Sequence, residues 1–212
     1  MIEIDDAGSG SLIGGTCIGI LKRETDKFFY EIIPLSLYTP ENFNKKLYQD
    51  YVIKIAKKAF DRFNVTKNEE IYVCKGYIFD KLREWLKNQS YKYQNTKIQN
   101  PLQTLVERTF ENYVVSLGLP RDYITYTKYP FHFHKLLKWV YADYENRANL
   151  CKTGWRSWQK YGNLPVNVSY GYLENSKFYC LKCGKKIPDK SFVKILTYKS
   201  NRNNTIYIHD RC

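Results

Sequence analysis

A chain of 212 residues with 43% hydrophobic and 17% aromatic side chains can bury a packed core, which excludes disorder as the main state and leaves room for one ordinary domain plus a small one. Its 34 Lys and Arg against 21 Asp and Glu leave a formal charge of +13, a balance that favours polyanion partners unless it is only a solvated cationic surface. No run of about 18 apolar residues occurs, and the start MIEIDDAGSG has no basic flank leading into an apolar segment, so neither a membrane-spanning helix nor a secretory signal is expected and the expected compartment is the cytoplasm.

In chain order, IEI, SLIGGTCIGILKR and DKFFYEIIPLSLY read as three strands of an antiparallel meander, broken at Gly-Ser-Gly and at RETDK. The second strand, with Gly14, Gly15 and Gly19, is poor in side chains, so close approach of a backbone or ligand is expected there. From Thr39 the period changes. Thr-Pro-Glu supplies a cap and a first-turn proline, and Phe43, Leu47, Tyr51, Ile55, Ala59 and Phe63 recur at four-residue spacing, which predicts one long amphipathic helix ending near Asn64. IYVCKG then reads as a buried, parallel strand, YIFDKLREWL as helix, and YKYQNTKI as a further strand. Asn100-Pro101-Leu102-Gln103 starts another helix, in which Gln103 is expected to bond back to the cap. That helix buries Leu102, Val106, Phe110, Tyr113 and Leu117 and stops at Gly118-Leu119-Pro120. A last large helix is expected through HKLLKWVYADYENRANL. Strands followed by alternating helices and strands imply an α/β fold, a mixed sheet with helices on its faces. Residues 162–176 carry Gly, Pro and Asn without a sustained period, so the expected division is a domain over 1–161, a linker over 162–176 and a small domain over 177–212.

That small domain carries the sharpest chemical signal. Cys180-x-x-Cys183 offers two thiolates on one turn, and His209-x-x-Cys212 adds an imidazole and a third thiolate, which together fill the four positions of tetrahedral zinc; the bland alternative is two unrelated pairs in a basic tail. Four protein ligands leave no open position, so the zinc would be structural, and so short a segment would draw much of its stability from the metal. The segment resembles zinc fingers of the treble-clef or ribbon kind, which commonly bind nucleic acid or protein. Lys182, Lys185, Lys186, Lys190, Lys194, Lys199 and Arg202 favour nucleic acid.

Asp5 and Asp6 sit at the end of the first strand, where acids oppose strand formation and Gly8 breaks it. A strand-end carboxylate before a glycine-rich turn suits a Mg²⁺ or Mn²⁺ ion acting on a phosphodiester, and two ions need several carboxylates from separate elements. MIEIDDAGSGSLIGGTCIGIL resembles the opening of type 2 ribonucleases H, and the element order resembles the ribonuclease H-like superfamily. The resemblance implies a ribonuclease H-like mixed sheet with Asp5 as the central Mg²⁺ or Mn²⁺ ligand and Asp6 as the second acid. Ser9 stands where the family has Arg between the glycines, and Lys75 stands where the family's fourth strand often ends in an acid. Further ligand candidates are Asp143, at the edge of the apolar stripe Leu136, Trp139 and Val140, then Glu107 with Glu111 one turn on, then Asp80; each is equally readable as a solvated or arginine-paired helix acid.

His132 and His134, two apart, face different ways on a helix and are read as packing or capping residues, and Cys17, Cys74 and Cys151 as inert thiols. KTGWRSWQK interleaves Lys152, Arg156 and Lys160 with Trp155 and Trp158, a mixture that can stack bases and neutralise phosphates or simply anchor the chain on its own core. The expected function is divalent-metal-dependent phosphodiester hydrolysis on nucleic acid by a ribonuclease H-like domain joined to a zinc finger. A nucleic-acid-binding protein of the same fold without chemistry, and a finger-based protein adaptor, are the rivals.

Overall fold

The computed structural model describes residues 1–175 and 177–212; Ser176, the last residue of the expected linker, lies outside them. The chain forms two compact units, Met1–Gly10 with Gly14–Ser116, and Ser11–Ile13 with Leu117–Cys212. No helix among the described residues is long and apolar enough to cross a membrane.

In the first unit β1 (Ile2–Ala7), β2 (Thr16–Lys22) and β3 (Lys27–Ile33) form the antiparallel meander, while β4 (Ile71–Cys74) and β5 (Tyr93–Thr96) run parallel to β1, in the order β3-β2-β1-β4-β5. This order and these directions are those of a ribonuclease H-like sheet. Side chains alternate along a strand, so β1 sends Ile2 and Ile4 into one core and Glu3 and Asp5 to the opposite face. The first core packs Ile18 and Ile20 of β2 against Val52, Ile55 and Ala59 of α2 (Leu47–Phe63) and Leu82 of α3 (Asp80–Asn88).

The single helix expected from Thr39 is two: α1 (Pro40–Asn44) ends at Lys45, and Lys46, with φ 55°, turns the chain before α2. The turn seats the Phe43 ring 5.2 Å from Tyr48, which itself stacks on Tyr38 at 5.4 Å. Residues five apart on an unbroken helix would face different ways, so the aromatic stack requires the break.

The opposite face of the sheet is covered by α4 (Leu102–Ser116), which buries Leu102, Val106, Phe110 and Val114. A Cβ on Gly19 would lie 3.2 Å from both Leu102 and Val106, so the close approach expected at the glycine-rich strand is by this helix. Gln103 does not reach back to the cap; it donates forward to Glu107 at 3.1 Å, and Thr104 bonds the Asn100 side chain instead. Tyr113 is half-buried, its hydroxyl accepting the Gly15 N–H at 3.1 Å.

The second unit contains α5 (Arg121–Tyr126), α6 (Phe133–Tyr141), α7 (Tyr144–Arg147), α8 (Arg156–Tyr161) and an antiparallel sheet of β6 (Asn167–Leu173), β7 (Ser191–Lys199) and β8 (Asn203–His209) in that order. Close to half of the stretch expected to be a linker, 162–176, is therefore strand β6 (Asn167–Leu173), ordered by its pairing with β7. The last large helix is also broken. Asp143 leaves helical geometry, its N–H bonding Val140, and the Trp139 carbonyl it would have used accepts instead from Arg147 at 2.7 Å.

Candidate metal centres

The site at the tip of β1 follows from register. The parallel pairs Ile2↔Ile71, Glu3↔Tyr72 and Ile4↔Val73 put Cys74 beside Asp5, and the antiparallel pair Asp5↔Gly19 leaves bare backbone on its other side. Adjacent strand residues point to opposite faces, so Asp5 and Asp6 can converge only where the strand ends. One carboxylate oxygen from each and the Cys74 Sγ all lie within 4.8 Å of one another.

The strand ends there because Gly8 adopts φ +85°, a left-handed geometry, and a Cβ at that position would fall 2.1 Å from the Phe110 ring. The turn that breaks the strand thus brings the α4 ring against Gly8, two residues past the acid pair.

Asp5 is only 7% exposed. Burial pushes its carboxyl above the ordinary carboxylate range, and the charges of Asp6 and Glu107 push the same way; the Cys74 thiol and the Asp6 N–H, which bonds Oδ1 at 2.9 Å, pull it down. The charged groups acting on it are thus carboxylates. Burial, followed by the neighbouring acids, pushes the Cys74 thiol up to about 11, so it stays protonated beside Asp5.

Glu107, exposed on α4, acts on Asp5 only as the weakest of these influences and is not one of the three residues whose donor atoms cluster here; Lys75 is exposed. The fourth-strand position facing the acids is therefore Cys74, not Lys75. Sequence reading treated Cys74 as an inert thiol; counting the parallel register from Ile2↔Ile71 is the signal that would have found it. Asp80 is paired with Arg83 at 2.5 Å. Asp143 belongs to the second unit, where it precedes α7, bonds Asn146 at 3.0 Å and lies 3.6 Å from Lys182.

In the second unit the Cys180–Gly184 turn closes through Gly184 N–H to the Cys180 carbonyl at 2.7 Å, with Gly184 at φ +80° and a Cβ there only 2.6 Å from Pro120. Strand β8 delivers His209, and the Cys212 N–H bonds back to its carbonyl at 3.1 Å. The donor atoms of Cys180, Cys183, His209 and Cys212 lie within 4.8 Å of one another. Cys180 and Cys212 sulfurs are 3.9 Å apart, and His209 Nδ1 is 3.3 Å from Cys183 and 3.7 Å from Cys212. A tetrahedron with Zn–S of about 2.3 Å and Zn–N of about 2.0 Å has edges of roughly 3.5–3.8 Å, so the donor set can hold a zinc ion. Burial resists ionisation of Cys183, but the Lys185 N–H, the other two thiols and His209 outweigh it and draw this thiol down to about 7, where a metal-ready thiolate forms.

Arg147 clamps the first ligand turn. Its guanidinium lies 4.0 Å over Trp139 and donates to the Leu181 and Lys182 carbonyls, each at 2.8 Å. Sequence reading missed it because its partners are carbonyls about 35 residues away.

Of the residues expected to meet nucleic acid, Lys185, Lys186 and Arg156 are exposed and Trp155 and Lys182 half-buried. Lys152 is instead fully buried with its ammonium 5.2 Å from the Trp155 ring, so its side chain belongs to the core of the second unit. His132 occupies the N-cap position of α6. Cys17 and Cys151 are buried, and desolvation raises both thiols, Cys17 to about 12.

No family model matches the chain and no curated protein matches it; the sheet order is consistent with a ribonuclease H-like fold, and the three-cysteine, one-histidine cluster suggests a zinc site.

Proposed function

We propose that this chain processes nucleic acid, its ribonuclease H-like unit hydrolysing phosphodiester bonds with Mg²⁺ or Mn²⁺ held at Asp5 and Asp6, and its finger ordered by a structural zinc. The observation that carries the reading is a buried carboxylate at the tip of the central strand, Asp5, with a second carboxylate, Asp6, within 4.8 Å of it and the charge of Glu107 adding weakly to the same effect. A buried charge crowded by like charges is costly unless a cation joins it.

The donors suit the ion. Carboxylate oxygens fit hard divalent cations, and the protonated Cys74 serves as a hydrogen-bond donor rather than a ligand. Asp5 would be the central ligand, its oxygen held by the Asp6 N–H and its carboxylate oriented by Cys74; Asp6 would supply the second carboxylate and Glu107 a third from the covering helix. When bound, such ions lower the pKa of a water nucleophile and stabilise the leaving oxygen. The +13 charge supports a polyanionic substrate.

The test is cleavage of labelled single-stranded, duplex, hybrid and branched substrates in Mg²⁺ or Mn²⁺. Activity that Asp5→Asn removes by at least about a hundredfold, with the fold retained by circular dichroism, supports the proposal. Salt-sensitive binding to the same substrates without any cleavage would establish the rival reading, a binding protein without chemistry, which is favoured by a neutral thiol in place of a fourth-strand acid.

A further inference from the structure

The second unit holds a cleft of about 480 Å³ between α5, α6, the segment leading into the Cys180 turn, and β8. Its lining carries four cations, Lys135, Lys138, Lys177 and Arg202, and no carboxylate among the described residues. Two of those cations bond backbone oxygens, Lys135 that of Lys128 and Lys138 that of Thr205 at 3.4 Å. Burial, and then Arg202, holds the Lys138 ammonium below its ordinary range, and burial, His132 and Arg202 do the same to His134. Positive groups that depress one another across a cleft are relieved by an anion.

The same walls are aromatic. Tyr126 and Tyr179 stack at 4.0 Å and 15°, and Phe178 lies 4.5 Å from Tyr207. Tyr126 is 38% and Phe178 44% exposed, so each pair has a ring within reach of a ligand. Cations alone would suit any polyanion; cations interleaved with exposed ring pairs suit one whose bases are unpaired and free to stack.

We propose that this cleft binds single-stranded nucleic acid, with phosphates at Lys135, Lys138 and Arg202 and a base extending one of the two ring pairs. It shares the nucleic-acid reading of the charge balance with the proposed function but needs no hydrolysis, since it lies wholly within the second unit. Tyr179 adjoins the zinc-type ligand Cys180, and the Leu181 and Lys182 carbonyls are pinned by Arg147, so the finger's first turn supplies one wall.

The test is fluorescence anisotropy on the full chain carrying Asp5→Asn, in zinc-replete buffer without Mg²⁺ or Mn²⁺, using labelled DNA and RNA strands of about 12 nucleotides and a duplex of equal length. Paired Lys138→Gln and Arg202→Gln changes are expected to weaken strand binding about tenfold or more and to flatten the salt dependence by about one to two charges. Tyr179→Leu is expected to weaken strand binding about tenfold and leave duplex binding unchanged. The exposed Lys177→Gln makes the same charge test at a position where folding is not at issue. The control pair Lys87→Gln with Lys92→Gln, exposed on the first unit, should leave affinity within about twofold. The proposal is overturned if neither strand binds, if the control pair costs as much as the cleft pair, or if duplex binds as tightly as strand and Tyr179→Leu changes nothing. Absence of strand binding in the Asp5→Asn chain, with cleavage by the unsubstituted chain intact, would overturn this site alone, and cleavage absent from the unsubstituted chain with strand binding intact would overturn only the hydrolysis.

Discussion

The Cys74 sulfur lies within 4.8 Å of the carboxylate of Asp5 because the parallel pairing of β4 with β1 sets the two residues side by side at the strand tips. A neutral donor occupies the position from which a third strand-borne carboxylate could reach a cation. Cys74→Asp should therefore raise Mn²⁺ affinity about tenfold or more, since hard-cation affinity follows ligand charge. Without metal the same variant should melt below wild type, and with Mn²⁺ above it, because three crowded carboxylates need the ion more than two do. Calorimetric titration and thermal melts read both outcomes; an unchanged Mn²⁺ affinity would place the ion away from Asp5.

The Gly8 turn sets where the acids meet. Gly8→Ala forces a side chain into the left-handed region and against the Phe110 ring, and should destabilise the chain by about 2–4 kcal/mol in urea unfolding. Combined with Phe110→Ala, the double variant should lose less than the two single losses added together, because the clash is removed once the ring is gone. Strict additivity would show that the two residues do not press on each other.

One zinc per chain is the expected metal content of the purified protein. Cys183→Ser should reduce that to near zero and broaden or abolish the near-ultraviolet signal of the second unit, since metal binding contributes on the order of 10 kcal/mol to the folding of small zinc modules. Retention of a full zinc equivalent in Cys183→Ser would remove this residue from the ligand set.

His134 gives a pH dependence of definite sign. Burial first, with His132 and Arg202, lowers its folded-state pKa below the ordinary imidazole value of 6.5, so the unfolded chain binds more protons in the interval between the two values. Stability from this group is complete above the unfolded value and is lost as pH falls through that interval. His134→Phe should therefore flatten the difference in stability between about pH 7 and pH 5 relative to wild type, as measured by chemical unfolding at each pH. An equal slope in the variant would assign the loss to other groups.

What could be read without coordinates was short-range. The meander of β1 to β3, the acid pair at a strand end and the two ligand turns at Cys180–Cys183 and His209–Cys212 each lie within a few residues of sequence, where periodicity and ligand spacing act directly. The six-residue helices α5 and α8 escaped, being too short to show a period, and β6 escaped because its order comes from pairing with β7 about 25 residues on. Tertiary structure alone decided that Asp5 lies on the sheet face that α4 covers, that Cys74 rather than Lys75 stands beside it, and that the expected last helix breaks so that Arg147 can take the Trp139 carbonyl. Each of those outcomes depends on register or on a hydrogen-bond partner from another element, and no local pattern encodes which of several distant partners a strand or a guanidinium will meet.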